Sequence, residues 1–333
     1  MNAPTHKAER DEKIPDRCPD CGGAKLVRRG RRARRFGSVQ LWRCISCRRT
    51  FTAELLRGKS YPRRAILDAL CWYHQGFTVP ETIRRVSRRY GLTPCENSVW
   101  KWVGEYADLC AYRRLRKPLR KLFRPEQIIK SVKLYHRQVY EYSIHRGKLA
   151  ALVAPGAEHA PFAPVGEYLE RMLKQCPHDL FRDEAEERRA SQLGKAGAQF
   201  DRSGLEIVGK DNRATETAAL VLSTVSNNRL RHEMLQRFML RCDSVTVAVE
   251  VPIYITPDDI AALKASGLTI PISPTGAITG HIDFLQIRNG AIHILDYKPD
   301  ARTNRPIEQL TLYALALSRH TRAPTLSLQV CVV

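Results

Sequence analysis

Residues 280–300 read GHIDFLQIRNGAIHILDYKPD, two apolar runs joined by Asn289-Gly290. Asn-Gly between hydrophobic runs is the strongest short-range sign of a β-hairpin, so the spacing predicts two antiparallel strands. Each run nevertheless carries an aspartate, Asp283 in the first and Asp296 in the second. Lys298 stands two residues beyond Asp296, where an extended chain puts it on the same face. Charges are costly in a segment that ought to bury itself. The pattern therefore asks for a chemical reason.

The neighbouring elements are read from the same part of the chain. RLRHEMLQRFMLRC (229–242) predicts a helix capped by Asn228, and SVTVAVEVPIYI (244–255) a strand of alternating Val and Ile. PIEQLTLYALALSRH (306–320) predicts an amphipathic helix with Leu310, Tyr313, Ala314 and Leu317 on one face, and TLSLQVCVV (325–333) a last strand. The order helix, three strands, helix, strand gives a small mixed sheet with helices against it.

This order, with Asp283 in the second strand and Asp-x-Lys at the end of the third, resembles the PD-(D/E)XK nuclease superfamily. The set GHIDF, ILDYKP and EQLTLYALA is closest to its RecB-like branch. The resemblance implies a restriction-endonuclease-like core that hydrolyses phosphodiester bonds, leaving 5′-phosphate and 3′-hydroxyl ends. Asp283 and Asp296 would converge on one divalent cation, with the backbone carbonyl of Tyr297 as a further ligand; hard Mg²⁺ or Mn²⁺ suits such oxygen donors. Lys298 would orient the attacking water or stabilise charge on the phosphate. Gln309 and Tyr313, one helical turn apart, match the branch's Gln-x-x-x-Tyr and would buttress the site. The superfamily adds an acid from the first helix, and Glu233 is the expected residue, completing a catalytic set of Glu233, Asp283, Asp296, Lys298 and Gln309. His232 matches members that use a histidine there, and Glu250 on the first strand competes for the same role.

At the other end of the chain, Cys18, Cys21, Cys44 and Cys47 form two Cys-x-x-Cys pairs. Each pair offers two thiolates to one side of a tetrahedral Zn²⁺, so two pairs at this separation predict a structural zinc ribbon. VQLWRC and RRTFTA read as short strands, and RRGRRARR between the pairs as an exposed basic finger carrying Arg31, Arg32, Arg34 and Arg35. The remaining cysteines, Cys71, Cys95, Cys110, Cys176, Cys242 and Cys331, read as small buried residues. From Tyr61 the pattern becomes helical, with Thr78 and Glu81 predicting a capping box for a second helix. A third helix, SVWKWVGEYADL, follows, capped by Asn97 or Ser98. Three short helices with glycine-containing turns give a helix-turn-helix plan. Zinc ribbon and trihelical unit together resemble the DNA-binding front end of certain transposases, and the resemblance implies that Ser98, Lys101 and Glu105 face DNA while Val99, Trp102 and Val103 pack inward. The basic run 113–124 reads as a solvated hinge or an arm along the backbone.

Charge separates the halves of the chain. Residues 1–125 hold 30 Lys and Arg against 11 Asp and Glu, +19, of a total of +21. Such concentration is the electrostatic footprint of a nucleic-acid binder. No apolar run is long enough for a membrane span, and the polar, acid-containing N-terminus is unlike a signal or transit peptide. A cytoplasmic, nucleoid-associated protein is expected.

The expected architecture is multidomain α+β: a zinc ribbon with basic loop (1–57), a helix-turn-helix and basic hinge (58–125), a mostly helical connecting region (126–227) and a mixed α/β nuclease core (228–333). Within the connecting region, SVKLYHRQVYEYSIHRGKLAALV fits a long helix or a hairpin equally, and His145, His159 and His178 read as structural. The expected activity is that of a Mg²⁺- or Mn²⁺-dependent DNA endonuclease with structural Zn²⁺, the last strand's edge leaving room for a homodimer partner. Two alternatives stay open: a DNA-binding regulator with a non-catalytic nuclease-like domain, and a structure-specific or single-strand nuclease.

Overall fold

The computed structural model describes residues 15, 17–18, 20–34, 37–52, 60–182, 189–194, 197, 199–201, 213–222, 228–298, 306–322 and 328–332. At the N-terminus, β1 (Leu26–Arg34), β2 (Gly37–Cys44) and β3 (Thr50–Phe51) form an antiparallel sheet in that order. The basic run expected as a loop is strand as far as Arg34, paired Arg31↔Gln40 and Arg32↔Val39 with β2. Exposure on both faces of β1 explains the difference. Arginines on a two-sided exposed hairpin keep their heads in water while the backbone pairs, and Gly30, at φ +85°, takes up the irregularity between Arg28 and Arg31. Only Cys18, Val39, Trp42 and Cys44 are buried in this unit among the described residues.

Three helices follow: α1 (Arg63–Gln75), α2 (Val79–Tyr90) and α3 (Glu96–Glu105). The Thr78–Glu81 capping box is formed in both directions. Helix α3 starts before the expected cap, with Cys95 rather than Asn97 or Ser98 at the N-cap. Val99, Trp102 and Val103 are buried, Ser98 is half-buried, and Lys101 and Glu105 are exposed. The stretch expected as a solvated hinge is instead helix α4 (Arg113–Leu122). It is anchored because Leu119 is buried and Arg116 donates to the Tyr73 and Phe77 carbonyls at 2.7 and 2.8 Å.

After a short helix α5 (Pro125–Ile128), the stretch that fitted helix or hairpin equally proves to be a hairpin, β4 (Ile129–His136) and β5 (Gln138–His145), turning at Arg137 in the left-handed region. Helices α6 (Arg146–Leu152), α7 (Ala163–Gln175), α8 (His178–Arg182), α9 (Arg213–Leu222) and α10 (Asn228–Cys242) lead into β6 (Thr246–Ile255). Then come α11 (Pro257–Ala265), β7 (Ile278–Arg288), β8 (Ala291–Asp296), α12 (Ile307–Thr321) and β9 (Leu328–Val332). Strands β4 to β9 make one six-stranded sheet in sequence order, antiparallel except for the β8–β9 pair. Thus the region expected to be a connector contributes two strands to the main sheet, through Ser143↔Val249 and Ile144↔Ala248.

The sheet separates two cores. One, between the sheet and α7 and α12, contains Tyr142, Tyr168, Ile282, Ile294 and Leu317. The other lies beneath α10 and is shared with the N-terminal helices: Ile66, Leu70, Val99 and Trp102 pack in one cluster with Leu235, Phe238, Phe284 and Leu295. At the seam, the buried Lys148 ammonium donates to the Leu240 and Thr246 carbonyls at 2.8 and 3.0 Å and pairs with Asp243 at 3.0 Å. It fixes the end of α10 to the start of β6.

Candidate active site and cysteine cluster

Regular strand alternation fails at one level of the sheet, in two neighbouring strands. Val249 and Val251 lie two residues apart on β6 yet belong to different cores, and Ile282 and Phe284 do the same on β7. Glu250, between the valines, holds a left-handed φ of 52°, a conformation that costs an ordinary side chain roughly 1–2 kcal/mol. The reversal brings the acids of both strands to the level where the two cores meet.

Helix α10 supplies the next group. His232 Nε2 lies 3.1 Å from Asp283 Oδ2, and its Nδ1 3.7 Å from Glu250 Oε1. One turn on, Gln236 donates to Glu250 Oε1 at 2.8 Å. His232, Glu250 and Asp283 each present one ligand atom, all within 4.8 Å of one another. Asp283 is further held by the Tyr297 backbone N–H at 2.8 Å, and the Tyr297 ring stacks on His232 at 5.8 Å.

The neighbouring strand β8 ends at Asp296, which pairs with Lys298 just beyond it at 2.8 Å. Gln309 on α12 donates to the Tyr313 hydroxyl at 3.0 Å and reaches Asp296 Oδ1 at 3.5 Å. A Cβ on Gly280 would overlap the Tyr313 ring, so the close passage of β7 over α12 requires glycine there.

The electrostatics follow from three acids in a small, partly dry space. Burial, and then the charge of Asp283, push Glu250 up to about 7 and Asp296 up to about 6. Burial would lower His232, but Asp283 first and Glu250 and Asp296 after it outweigh that and raise the imidazole to about 9. A protonated His232, together with Lys298 on Asp296 and the Gln236 amide on Glu250, thus offsets the mutual repulsion of the carboxylates. A cation bound among them would do the same.

The structure brings together Asp283, Asp296, Lys298, Gln309 and Tyr313, with Tyr297 contributing its N–H. It does not bring in Glu233, which lies on the exposed side of α10, while its neighbour His232 turns inward. Glu250 takes the carboxylate position beside Asp283. The physical reason is the left-handed residue: a regular strand leaves residue 250 on one face, and its backbone reversal is invisible to a period-two reading. Gln236 is not among the residues expected from sequence, although its position four residues after His232 puts it on the same helical face.

Far from this site in sequence, the sulfurs of Cys18, Cys21, Cys44 and Cys47 lie within 4.8 Å of one another, with Cys18–Cys47 and Cys21–Cys44 both at 3.6 Å. That is too long for a disulfide, about 2.05 Å. It is near the ~3.8 Å edge of a tetrahedron with zinc–sulfur bonds of about 2.3 Å. Gly22 at φ +72° and Arg48 at φ +59° turn the two knuckles, whose N–H groups bond back as Gly22 to the Cys18 carbonyl and Cys44 to the Arg49 carbonyl, both 2.9 Å. Of the residues expected to meet DNA, Arg31 and Arg32 are exposed on β1 and Lys101 on α3. Arg34 ends β1 and Arg35 lies outside the described residues.

No helix among the described residues is long and apolar enough to cross a membrane. Searches of curated proteins and of solved structures give no match. The family model of the PD-(D/E)XK nuclease superfamily matches residues 145–330, from the last residue of β5 into β9, a span that contains every group of the site around Asp283 and Asp296. That family implies a nuclease-type fold and nucleic acid as the class of substrate, and its members usually use divalent metals. With more than half of its length matched, the chain belongs to the PD-(D/E)XK nuclease superfamily.

Proposed function

We propose that the protein is a metal-dependent DNA endonuclease, directed by its N-terminal region. The observation that carries the reading is the convergence of His232, Glu250 and Asp283 beside the Asp296–Lys298 pair. Two carboxylates and one imidazole fit a divalent cation, and the imidazole nitrogen favours Mn²⁺ over Mg²⁺ relative to an all-oxygen set. Asp283 and Glu250 would hold it, with Asp296 and the Tyr297 carbonyl as further oxygen donors. When bound, the cation would lower the pKa of water and draw charge from the scissile phosphate.

The chain's own groups do the rest. Lys298, held by Asp296, presents an ammonium that orients the attacking water and counters charge developing on the phosphate. Gln309 and Tyr313 keep Asp296 from rotating away. His232 carries its proton when the carboxylates lack another cation, and gives it up as one binds. Tyr297 N–H fixes the Asp283 rotamer. A regulator with an idle nuclease-like domain would bear the cost of three clustered acids with no return, which favours the catalytic reading.

The front end would supply the address. The cysteine sheet reads as a zinc ribbon with Arg31 and Arg32 outward, and α1 to α3 as a helix-turn-helix with Lys101 outward. Their resemblance to transposase DNA-binding modules is what links the reading to mobile elements. Circular single-stranded and duplex DNA incubated with Mg²⁺ or Mn²⁺ tests the activity, and cleaved circles are expected. Lys298→Ala should still bind DNA and cation while cleaving roughly 10²–10³-fold more slowly. Parent-like cleavage by that variant would overturn the role given to Lys298, and intact circles under every condition would overturn the endonuclease.

A further inference from the structure

A second group of metal-ligating side chains lies outside the nuclease site. His136 ends β4, Cys176 follows α7, and His178 begins α8. Their ligand atoms lie within 4.8 Å of one another. His136 Nε2 is 2.9 Å from His178 Nδ1 and 3.9 Å from Cys176 Sγ. Read from sequence, Cys176 is a small buried residue and His178 a structural histidine; the fold sets both against a third ligand 40 residues away.

We propose that His136, Cys176 and His178 bind a borderline-soft divalent cation, zinc being the best match. Zinc–nitrogen and zinc–sulfur bonds of about 2.0–2.1 and 2.3 Å place tetrahedral ligand atoms roughly 3.3–3.6 Å apart, and the two observed separations bracket that range. The donor set of one thiolate and two imidazoles selects zinc over Mg²⁺, Ca²⁺ or Mn²⁺.

The surroundings prepare the lone pairs. His136 Nδ1 lies 3.0 Å from His281 Nε2. When that contact is a hydrogen bond donated by His136, its proton is fixed on Nδ1 and the Nε2 lone pair faces Cys176 and His178. A ligand histidine usually has such a partner at its other nitrogen. Phe181 stacks on His136 at 4.1 Å between ring centres, and Tyr140 on His281 at 3.8 Å, which fixes both ring planes and keeps water from one side. Pro177 between Cys176 and His178 stiffens the pair.

Bound there, the cation would staple the tip of the β4–β5 hairpin and the α7–α8 junction to one another, with His281 tying them to β7. The hairpin otherwise joins the sheet through few residues of β5. Three protein ligands leave a fourth position for water. The competing account is a chain of three neutral imidazoles hydrogen-bonded in series, which needs no metal and no thiol.

The two accounts separate by metal analysis of the full-length protein after dialysis against metal-free buffer. The parent should hold about one more zinc per chain than either Cys176→Val or His178→Gln, whatever the four N-terminal cysteines bind. His178 stands at an exposed helix start, so its replacement leaves the core intact. Cobalt loaded into a Cys44→Ser background should show a sulfur-to-cobalt charge-transfer band that Cys176→Val removes. His281→Phe should keep the stoichiometry and weaken zinc binding about 10- to 100-fold. Equal zinc in the parent, Cys176→Val and His178→Gln, with no cobalt band dependent on Cys176, would establish the imidazole chain and overturn the proposal.

Discussion

The cysteine sheet of residues 18–51 and the three helices of residues 63–105 adjoin in sequence, and both are read as addressing units, yet different forces hold them. The sheet buries Cys18, Val39, Trp42 and Cys44, and no residue before Tyr61 belongs to either large core among the described residues. So few buried side chains cannot by themselves offset the entropy of ordering about thirty residues, and in the proposed zinc-ribbon reading a metal clip supplies the difference. The helices contribute Ile66, Leu70, Val86, Val99 and Trp102 to the same cluster as Phe238 on α10 and Phe284 on β7. They form part of the nuclease body, whatever else they touch. Adjacency in sequence therefore says little about independence in folding; shared buried surface decides it.

Truncation breaks or confirms this contrast with the largest effect. Removing residues 1–125 strips one wall from the core under α10. Burying a large apolar side chain contributes roughly 1.5–3 kcal/mol, so the loss of only five of them is comparable to the whole stability of a domain, about 5–15 kcal/mol. That fragment is expected to be insoluble or to lack a cooperative transition. Removing residues 1–58 should instead leave the main melting temperature within a few degrees of the parent. Differential scanning calorimetry of the two fragments decides, and a well-folded fragment beginning at residue 126 would refute the shared core.

Cys44→Ser sharpens the same contrast from the metal side. Because the binding free energy of a structural zinc is folding free energy, the variant should lose about one zinc per chain and become protease-sensitive before residue 60. Cleavage of circular DNA at high protein concentration should persist, and the main thermal transition should not move. A parent protein without zinc on elemental analysis would remove the ribbon reading altogether.

The smallest effect concerns acid. His145 closes β5 inside the body, fully buried, and burial first and the Lys148 ammonium second hold its imidazole well below the ordinary 6.5. The neutral form belongs to the folded state and the protonated form to the unfolded. The stability from this group is therefore complete above pH 6.5 and declines as pH falls below it. The cysteine sheet contains no histidine among its described residues. His145→Gln should lower stability at neutral pH, since the ring accepts the Lys148 N–H at 3.1 Å, while flattening its fall between pH 6.5 and 5. Urea unfolding at several pH values reads that slope, and an unchanged slope would assign the acid sensitivity elsewhere.

Local chemistry made part of this molecule legible in the sequence. Asn289-Gly290 marks a hairpin, Thr78 and Glu81 mark a helix start, and the Asp296-Tyr297-Lys298 triplet marks a charged strand end; each signal lies within a few residues. The Thr256–Asp259 capping box that starts α11 is an equally local signal. What escaped was long-range. The β4–β5 hairpin owes its place to pairing with β6, a hundred residues on. Glu250 rather than Glu233 meets Asp283 because of one backbone angle. His136, His178 and Cys176 are each unremarkable in their local context, and only the path of the chain makes them neighbours.

The left-handed residue at 250 has an evolutionary side. Glycine would occupy that backbone without strain, and its substitution would also empty the site of a buried acid. Glu250→Gly is therefore expected to raise thermal stability. If Glu250 holds the proposed cation, engineering for thermostability alone would drift toward an inert protein. At this position the proposed chemistry would set stability and activity against each other through a single torsion angle.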